Sequence, residues 1–476
     1  MGPVNSLLVR LRESFLRAGY TLDGVRDRLG AVAGGALARE ELVPALRATR
    51  DGDPLATLIR LWWLGTAVPE SAVRDVLPLP DLLAAGLLAA DGADVRATVH
   101  LQPWETGYVV SDRKVRPGDP GLRDDHVVGA GGASANLAQL IPARRADRAL
   151  DLGTGCGVQV LHLAGRSTHV VATDVNPRAL ELARLSFGLS EVTNAETRLG
   201  SGFDPVDGEL FDLVVSNPPF VIAPTGRFTY RESGERADDF CRTLVRDAPR
   251  HLAPDGHCAI LANWLHVAGE DWHDRVGGWM AETGCDGWAV QRDVQDPAEY
   301  VELWLRDSAE QGTPAYRERY DRWLGWFEEL GVEAIGFGWI VLQNTGTLDP
   351  VVRVEELAQR VELPVGGYVQ EVLDAVTTAH RLSDDELLAA CLRVAEGVVE
   401  ERIGVPGADD PTHIVLRQTR GLCRTRRVGT VAAALAGVCD GSLPLAPLLS
   451  AIAELTDGEP ASPSSIRPLI AEGFFL

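Results

Sequence analysis

The tightest local constraint in the sequence is Ala149-Leu150-Asp151-Leu152-Gly153-Thr154-Gly155-Cys156-Gly157-Val158, where an apolar strand runs into three alternate glycines and then a helical pattern. Glycine lacks a Cβ, so the backbone can turn sharply and lie close to a ligand. A strand that feeds a helix through such a turn belongs to a wound parallel sheet, whose ligands sit beyond the carboxyl ends of the strands. The dinucleotide fingerprint G-x-G-x-x-G needs its third glycine one place later, where this chain has Val158. The pattern here is D-x-G-x-G-x-G instead.

Around this loop the texture alternates between strands and helices. Strands are expected at 149–152, 169–173, 195–199, 210–216, 258–263, 287–292 and 334–342, with helices at 158–164, 177–189 and 237–252. The N-terminal part, 1–118, reads as a helical domain. Two short helices at 70–76 and 80–89 precede β-like runs at 95–101 and 107–112, an order that resembles a winged helix. A linker rich in Pro, Gly and charge crosses 113–125. The C-terminal part, 348–476, reads as mainly helical and also winged-helix-like, with helices at 354–361, 368–377, 384–400 and 428–438. The expected division is therefore 1–118, 119–347 and 348–476.

Two further motifs follow the glycine loop in order. Val170-Val171-Ala172-Thr173-Asp174-Val175-Asn176-Pro177 is an apolar strand ending in an acid. Asp174 lies about 20 residues beyond the loop, where a carboxylate can accept hydrogen bonds from ribose hydroxyls. Phe211-Asp212-Leu213-Val214-Val215-Ser216-Asn217-Pro218-Pro219-Phe220 is a hydrophobic strand ending in N-P-P-F. A planar amino group is a weak nucleophile because its lone pair is delocalised. The Asn217 side-chain oxygen and the Pro218 main-chain oxygen can accept both of its N–H bonds and direct that lone pair, which needs positioning and no strong base. Two prolines fix φ and hold those carbonyls, and Phe220 offers a face to a flat amide or base.

These three motifs resemble the class I S-adenosylmethionine-dependent methyltransferases, in particular the N-P-P-Y/F amino-methyltransferases. That group includes release-factor glutamine, N6-adenine and ribosomal RNA enzymes. The resemblance covers about 126–343, roughly half the chain, and implies a Rossmann-like, doubly wound, seven-stranded α/β sheet. It implies S-adenosyl-L-methionine as cofactor, with S-adenosyl-L-homocysteine as product. Asp151, Gly153, Thr154, Gly155, Gly157, Asp174, Val175 and Asn217 would bind the cofactor, and Asn217, Pro218, Pro219 and Phe220 would carry the transfer. Gly200-Ser201-Gly202-Phe203 stands where many relatives carry an adenine-contacting Asp. The strip 126–135 stands where relatives cover the cofactor, although a plain linker fits it equally well.

The motifs do not choose the acceptor. A glutamine-like amide of a protein or peptide is the first reading, and an RNA or DNA exocyclic amine is the alternative. A non-catalytic, cofactor-binding interaction protein is a third. The formal net charge is −23, from 45 Lys+Arg against 68 Asp+Glu, so a nucleic-acid partner would need a local basic surface. Arg417, Arg420, Arg424, Arg426 and Arg427 form the one concentrated cluster, which a solvated loop balancing nearby acids explains as well. Tyr230 and Arg231, just past the acceptor motif, are candidates for substrate recognition on a loop. The seven cysteines form no C-x-x-C, which argues against zinc or a disulfide framework. No metal is expected. No apolar run approaches the roughly 20 residues of a membrane span, and no signal segment opens the chain, so a cytoplasmic setting is expected.

Overall fold

The computed structural model describes residues 3–105, 107–114, 122–224, 232, 236–308, 313–407, 411–456 and 461–476. Its centre is an eight-stranded sheet. The N-terminal part contributes β1 (Val68–Pro69), β2 (Leu88–Asp91) and β3 (Asp94–Ala97), then β4 (Val99–Trp104) and β5 (Gly107–Asp112). The central strands are β6 (Ala146–Leu152), β7 (Ser167–Asp174), β8 (Ala195–Leu199), β9 (Phe211–Ser216), β10 (Leu252–Val267), β11 (Asp286–Gln295), β12 (Val332–Gln343) and β13 (Val352–Glu356). The C-terminal part adds β14 (Val398–Ile403), β15 (His413–Gln418) and β16 (Thr425–Val428) among helices.

Across the central sheet the order is β13-β11-β12-β10-β9-β6-β7-β8. The pairs β8/β7, β7/β6, β6/β9 and β9/β10 are parallel, while β12 runs antiparallel to both β10 and β11. The chain therefore leaves β6 toward β7 on one side and returns to β9 on the other. That reversal is the switch point at which a wound sheet opens a crevice. Adjacent residues serve opposite faces, as strand pleating requires. Ala149, Val170 and Val215 join one core with the N-terminal helices, whereas Leu150, Val171 and Val214 join a second core on the other face.

Four local expectations are corrected. The anticipated hairpin of 95–101 with 107–112 is two hairpins. β3 folds back on β2 through a two-residue turn with Gly92 at φ +67°, and β4 pairs with β5. The small N-terminal sheet has the order β1-β3-β2, with the helices Glu70–Arg74 and Leu79–Ala84 between its first two strands. No helix forms at 354–361: residues 354–356 belong to β13, parallel to β11, and 357–361 are irregular, so the seven anticipated strands gain an eighth. In β13, Val352 and Val354 pack on the second core while Glu355 takes a hydrogen bond from Trp288, a period of two that a helix cannot supply. The helix anticipated at 384–400 stops at Asp384–Ala389, and β14 begins after Gly397 at φ +81°.

Among the described residues no helix is long and apolar enough to cross a membrane. None of the seven cysteines forms a disulfide.

Candidate active site

Strands β6, β7 and β9 end side by side, with Leu152 in register with both Thr173 and Ser216. The three sequence motifs begin at those ends, so the parallel register delivers all three to one crevice. The glycine loop is tied to β7 at once: Thr154 N donates to Thr173 O at 2.8 Å, and Gly155 N donates to Asp174 Oδ2 at 2.9 Å. Gly153, Gly155 and Gly157 have φ of +73°, +54° and +82°, the left-handed region that side chains disfavour.

Their surroundings differ. A Cβ on Gly153 or Gly155 would meet nothing within 4 Å, whereas one on Gly157 would lie 2.6 Å from the Phe187 ring. The first two glycines face open cavity. The third lets the helix Val158–Ala164 pack on the helix Pro177–Leu189.

The crevice is a cavity of about 600 Å³. Asp151, Gly153, Thr154, Gly155, Asp174, Val175, Asn217, Pro218 and Pro219 line it, together with Gly200, Ser201 and Gly202. Gly157 and Phe220, both expected at the ligand, are not in its wall; Phe220 instead rests edge-on near Trp304, with ring centroids 6.5 Å apart. The wall also contains His126, Val127, Val128, Gly129 and Ser134, so the strip before the glycine loop is part of the site. That strip is fastened by Val127 N to Asp112 Oδ2 at 2.9 Å, Asn176 Nδ2 to Asp125 O at 2.9 Å and Gln159 Nε2 to Ser134 O at 2.8 Å. Glu232, from the segment that follows the acceptor motif, is also in the wall, as are Phe240 and Leu244, which the motifs do not indicate. Only the amphipathic pattern of the Asp239–Asp247 helix hinted at the last two.

Asp151 and Asp174 contribute carboxylates to the cavity from the ends of β6 and β7, beside Glu232 in the same wall. Asp151 is 1% exposed and accepts a hydrogen bond from Thr154 Oγ1 at 2.6 Å. Burial pushes its carboxyl up to about 7. Asp174 accepts backbone N–H groups on both oxygens, from Gly155 at 2.9 Å and Asn176 at 2.8 Å, yet burial still raises it above the ordinary carboxylate value. Neither has an arginine, lysine or histidine partner among the described residues. Burial also lowers the pKa of His126, which favours its neutral form. The site therefore has a deficit of positive charge that a cationic ligand would fill. Asn217 makes no side-chain hydrogen bond to a described residue, leaving its amide open to the cavity.

The basic cluster of 417–427 does not behave as a free surface. Arg417 bonds Glu401 at 2.6 Å, Arg420 bonds Glu396 at 3.4 Å, Arg424 bonds Glu355 at 2.5 Å and Arg426 pairs with Glu472. Arg427 is exposed. None of the five lines the cavity. Tyr230 and Arg231 lie outside the described residues. Among the described residues no cluster of His, Cys, Asp and Glu is arranged to hold a metal.

Several known proteins are similar to the region that carries this geometry. Residues 130–270 match the family model described as "Methyltransferase small domain", and residues 17–98 match a "Domain of unknown function (DUF7059)". Residues 130–270 are thus similar to a methyltransferase small domain, and the relatives that match this region are methyltransferases. A release factor glutamine methyltransferase of Xylella fastidiosa is 32% identical over 143 residues, covering 26% of this chain and 52% of the relative. A ribosomal RNA small subunit methyltransferase C of Idiomarina loihiensis is 31% identical over 132 residues, covering 28% of this chain and 36% of the relative. The chain spans about half the length, or less, of these curated relatives. Among solved structures, the ribosomal protein L11 methylase of Lactobacillus delbrueckii subsp. bulgaricus aligns with a TM-score of 0.24 at 18% identity, covering 32% of this chain and 67% of that one.

Proposed function

We propose that the chain is an S-adenosylmethionine-dependent N-methyltransferase acting on a planar amide or amino nitrogen, with a glutamine-like side chain of a protein or peptide as acceptor. One observation carries this reading: the buried Asp151 and the half-buried Asp174, neither paired with a cation among the described residues, share a single cavity with the Asn217-Pro218-Pro219 edge. Asp151 would hold the cofactor's ammonium, Gly153 and Gly155 would leave room for its amino-acid end, and Asp174 would face its ribose, with Val175 beside it in the wall. Bound there, the cofactor supplies a methyl group on a sulfonium and leaves as S-adenosyl-L-homocysteine.

The protein's own part is orientation. Asn217 Oδ1 and Pro218 O each accept one N–H of the acceptor NH2. Pro218 O already accepts the Phe220 N–H at 2.7 Å, and its second lone pair serves the acceptor. Holding both N–H bonds fixes the amide plane, so that the nitrogen lone pair, which lies perpendicular to that plane, faces the methyl donor. As that nitrogen becomes cationic, the same oxygens stabilise the charge before a proton passes to water.

An RNA or DNA amine is the second reading, favoured by the likeness to the ribosomal RNA enzyme. The buried Arg424, paired with Glu355, is withdrawn from any phosphate contact, whereas Arg417 and Arg420 stand in exposed and therefore weak pairs, so the cluster is smaller than its sequence suggests. We also propose the three-part division at 1–118, 119–347 and 348–476, with β13 contributed to the central sheet by the last part.

The test is to incubate the protein with methyl-tritiated S-adenosylmethionine and a bacterial lysate, then treat aliquots with protease or nuclease. Label lost to protease and resistant to nuclease supports the amide reading. The reverse pattern overturns it in favour of nucleic acid.

A further inference from the structure

The acceptor loop leaves β9 at Ser216, and among the described residues its ladder pairing beyond that point is the isolated antiparallel bridge of Phe220 with Glu232, which does not reach Ile222. A buried backbone without ladder partners must find side chains instead. Ile222, 1% exposed, has both polar groups met in this way. Its N–H donates to Tyr300 Oη at 2.8 Å, and its carbonyl accepts from Trp323 Nε1 at 3.1 Å. Tyr300 belongs to the helix Pro297–Asp307 and Trp323 to the helix Tyr316–Glu329. Both are essentially inaccessible, at 0% and 2%.

Asn263 on β10 donates to the same Tyr300 oxygen at 3.1 Å, which anchors the tyrosine to the sheet. Tyr300, Trp323, Phe327 and Ile335 form a separate core with Val221 and Ile222. The far end of the same chain segment is tied as well: Asp238 takes Leu265 N at 3.0 Å and Arg275 Nη2 at 2.6 Å.

The two helices sit between β11 and β12, antiparallel neighbours that a short turn could join. Their packing serves the acceptor loop. We propose that this helical pair is the positioning element of the N-P-P-F loop and that Tyr300 and Trp323 are its positioning residues, a role that rests on the methyltransferase reading. They touch neither ligand, since neither lines the 600 Å³ cavity. They fix the peptide groups of Ile222 and, through the turn closed by Phe220 N and Pro218 O, the direction of the Asn217 and Pro218 oxygens. Small displacements of such oxygens cost rate because transfer depends on alignment.

The test uses the full chain with Tyr300→Phe and Trp323→Phe, methyl-tritiated S-adenosylmethionine, and whichever of the protein and RNA fractions of a bacterial lysate the wild type labels. The expected result is a kcat lowered roughly ten- to a hundredfold. The cofactor KM, the S-adenosylhomocysteine Kd and a binding stoichiometry of one per chain should remain unchanged within about twofold. A merely structural role would instead reduce the bound fraction and leave the rate per occupied site unaltered, and that outcome overturns the proposal. Should Trp323→Phe fail to fold, Tyr300→Phe, which removes one oxygen, decides alone. Wild-type labelling with an unchanged kcat in Tyr300→Phe refutes the positioning role only. Wild type that binds S-adenosylhomocysteine yet labels neither fraction refutes the methyltransferase reading and this proposal with it.

Discussion

Replacing Asp151 with Asn should weaken the cofactor, remove much of its pH dependence and, at the same time, stabilise the empty protein. The carboxyl is fully buried and pushed up to about 7, from an ordinary value of 3.8. A folded-state pKa above the unfolded one means that the native state holds the extra proton between these values. The resulting stability is present below the unfolded pKa and is lost as pH rises through about 7. By about pH 8 the ionised Asp151 therefore costs the empty fold on the order of 4 kcal/mol at most, which Asp151→Asn avoids. Binding has the opposite sign. A ligand ammonium needs the carboxylate, so affinity should fall roughly tenfold from about pH 8 to about pH 6. The loss of a charge-assisted hydrogen bond in Asp151→Asn, about 1.5–3 kcal/mol, corresponds to about ten- to a hundredfold in Kd at the upper pH. Calorimetric titration with S-adenosylhomocysteine across this window, paired with denaturant unfolding of the empty protein, measures both effects. An equal pH slope in wild type and Asp151→Asn would refute the assignment of that proton.

Asn217→Ala should abolish methyl transfer while the S-adenosylhomocysteine Kd stays within about twofold, whereas Asp174→Ala should raise that Kd by about tenfold or more, both read by calorimetry. Gly157→Ala should cost about 2–4 kcal/mol in denaturant unfolding, since it adds overpacking against Phe187 to a left-handed φ. Gly155→Ala should lose less stability, with its main effect on cofactor affinity. Arg424→Ala should destabilise by about 2–4 kcal/mol, because it removes the buried partner of Glu355. Arg427→Ala should leave the unfolding midpoint essentially unchanged, and a nucleic-acid filter-binding assay on the same pair would expose any phosphate contact.

Much of the site was legible because its motifs are contiguous. Residues 151–157, 170–177 and 211–220 each carry a strand and the loop that follows it, so local pattern alone predicts where each strand ends. Gly157 illustrates the limit of that reading. Its place in the motif assigns it to the ligand, but its absent Cβ makes room for Phe187, thirty positions away. Phe220 is similar, since its neighbour Trp304 comes from a helix that no motif links to it. The arginines of 417–427 read as a basic cluster because their partners Glu355, Glu396, Glu401 and Glu472 are distant in sequence or precede the cluster. The stretch 354–361 reads as helical because a run this short carries too few residues to distinguish the two periodicities, and the pairing of 352–356 with β11 decides for a strand.

The sequence by itself determined that a strand, a three-glycine turn and a helix recur beside an acid-ended strand and an Asn-Pro-Pro-Phe edge, which defines the class of chemistry. Backbone sterics impose those features locally, so they survive without tertiary context. Only the tertiary structure decided that the three ends lie at one switch point, that Asp151 is buried enough to share its proton near neutrality, and that Ile222 is held by Tyr300 and Trp323. Register, burial and long-range pairing arise from which surfaces exclude water together, and no single stretch of chain contains that information.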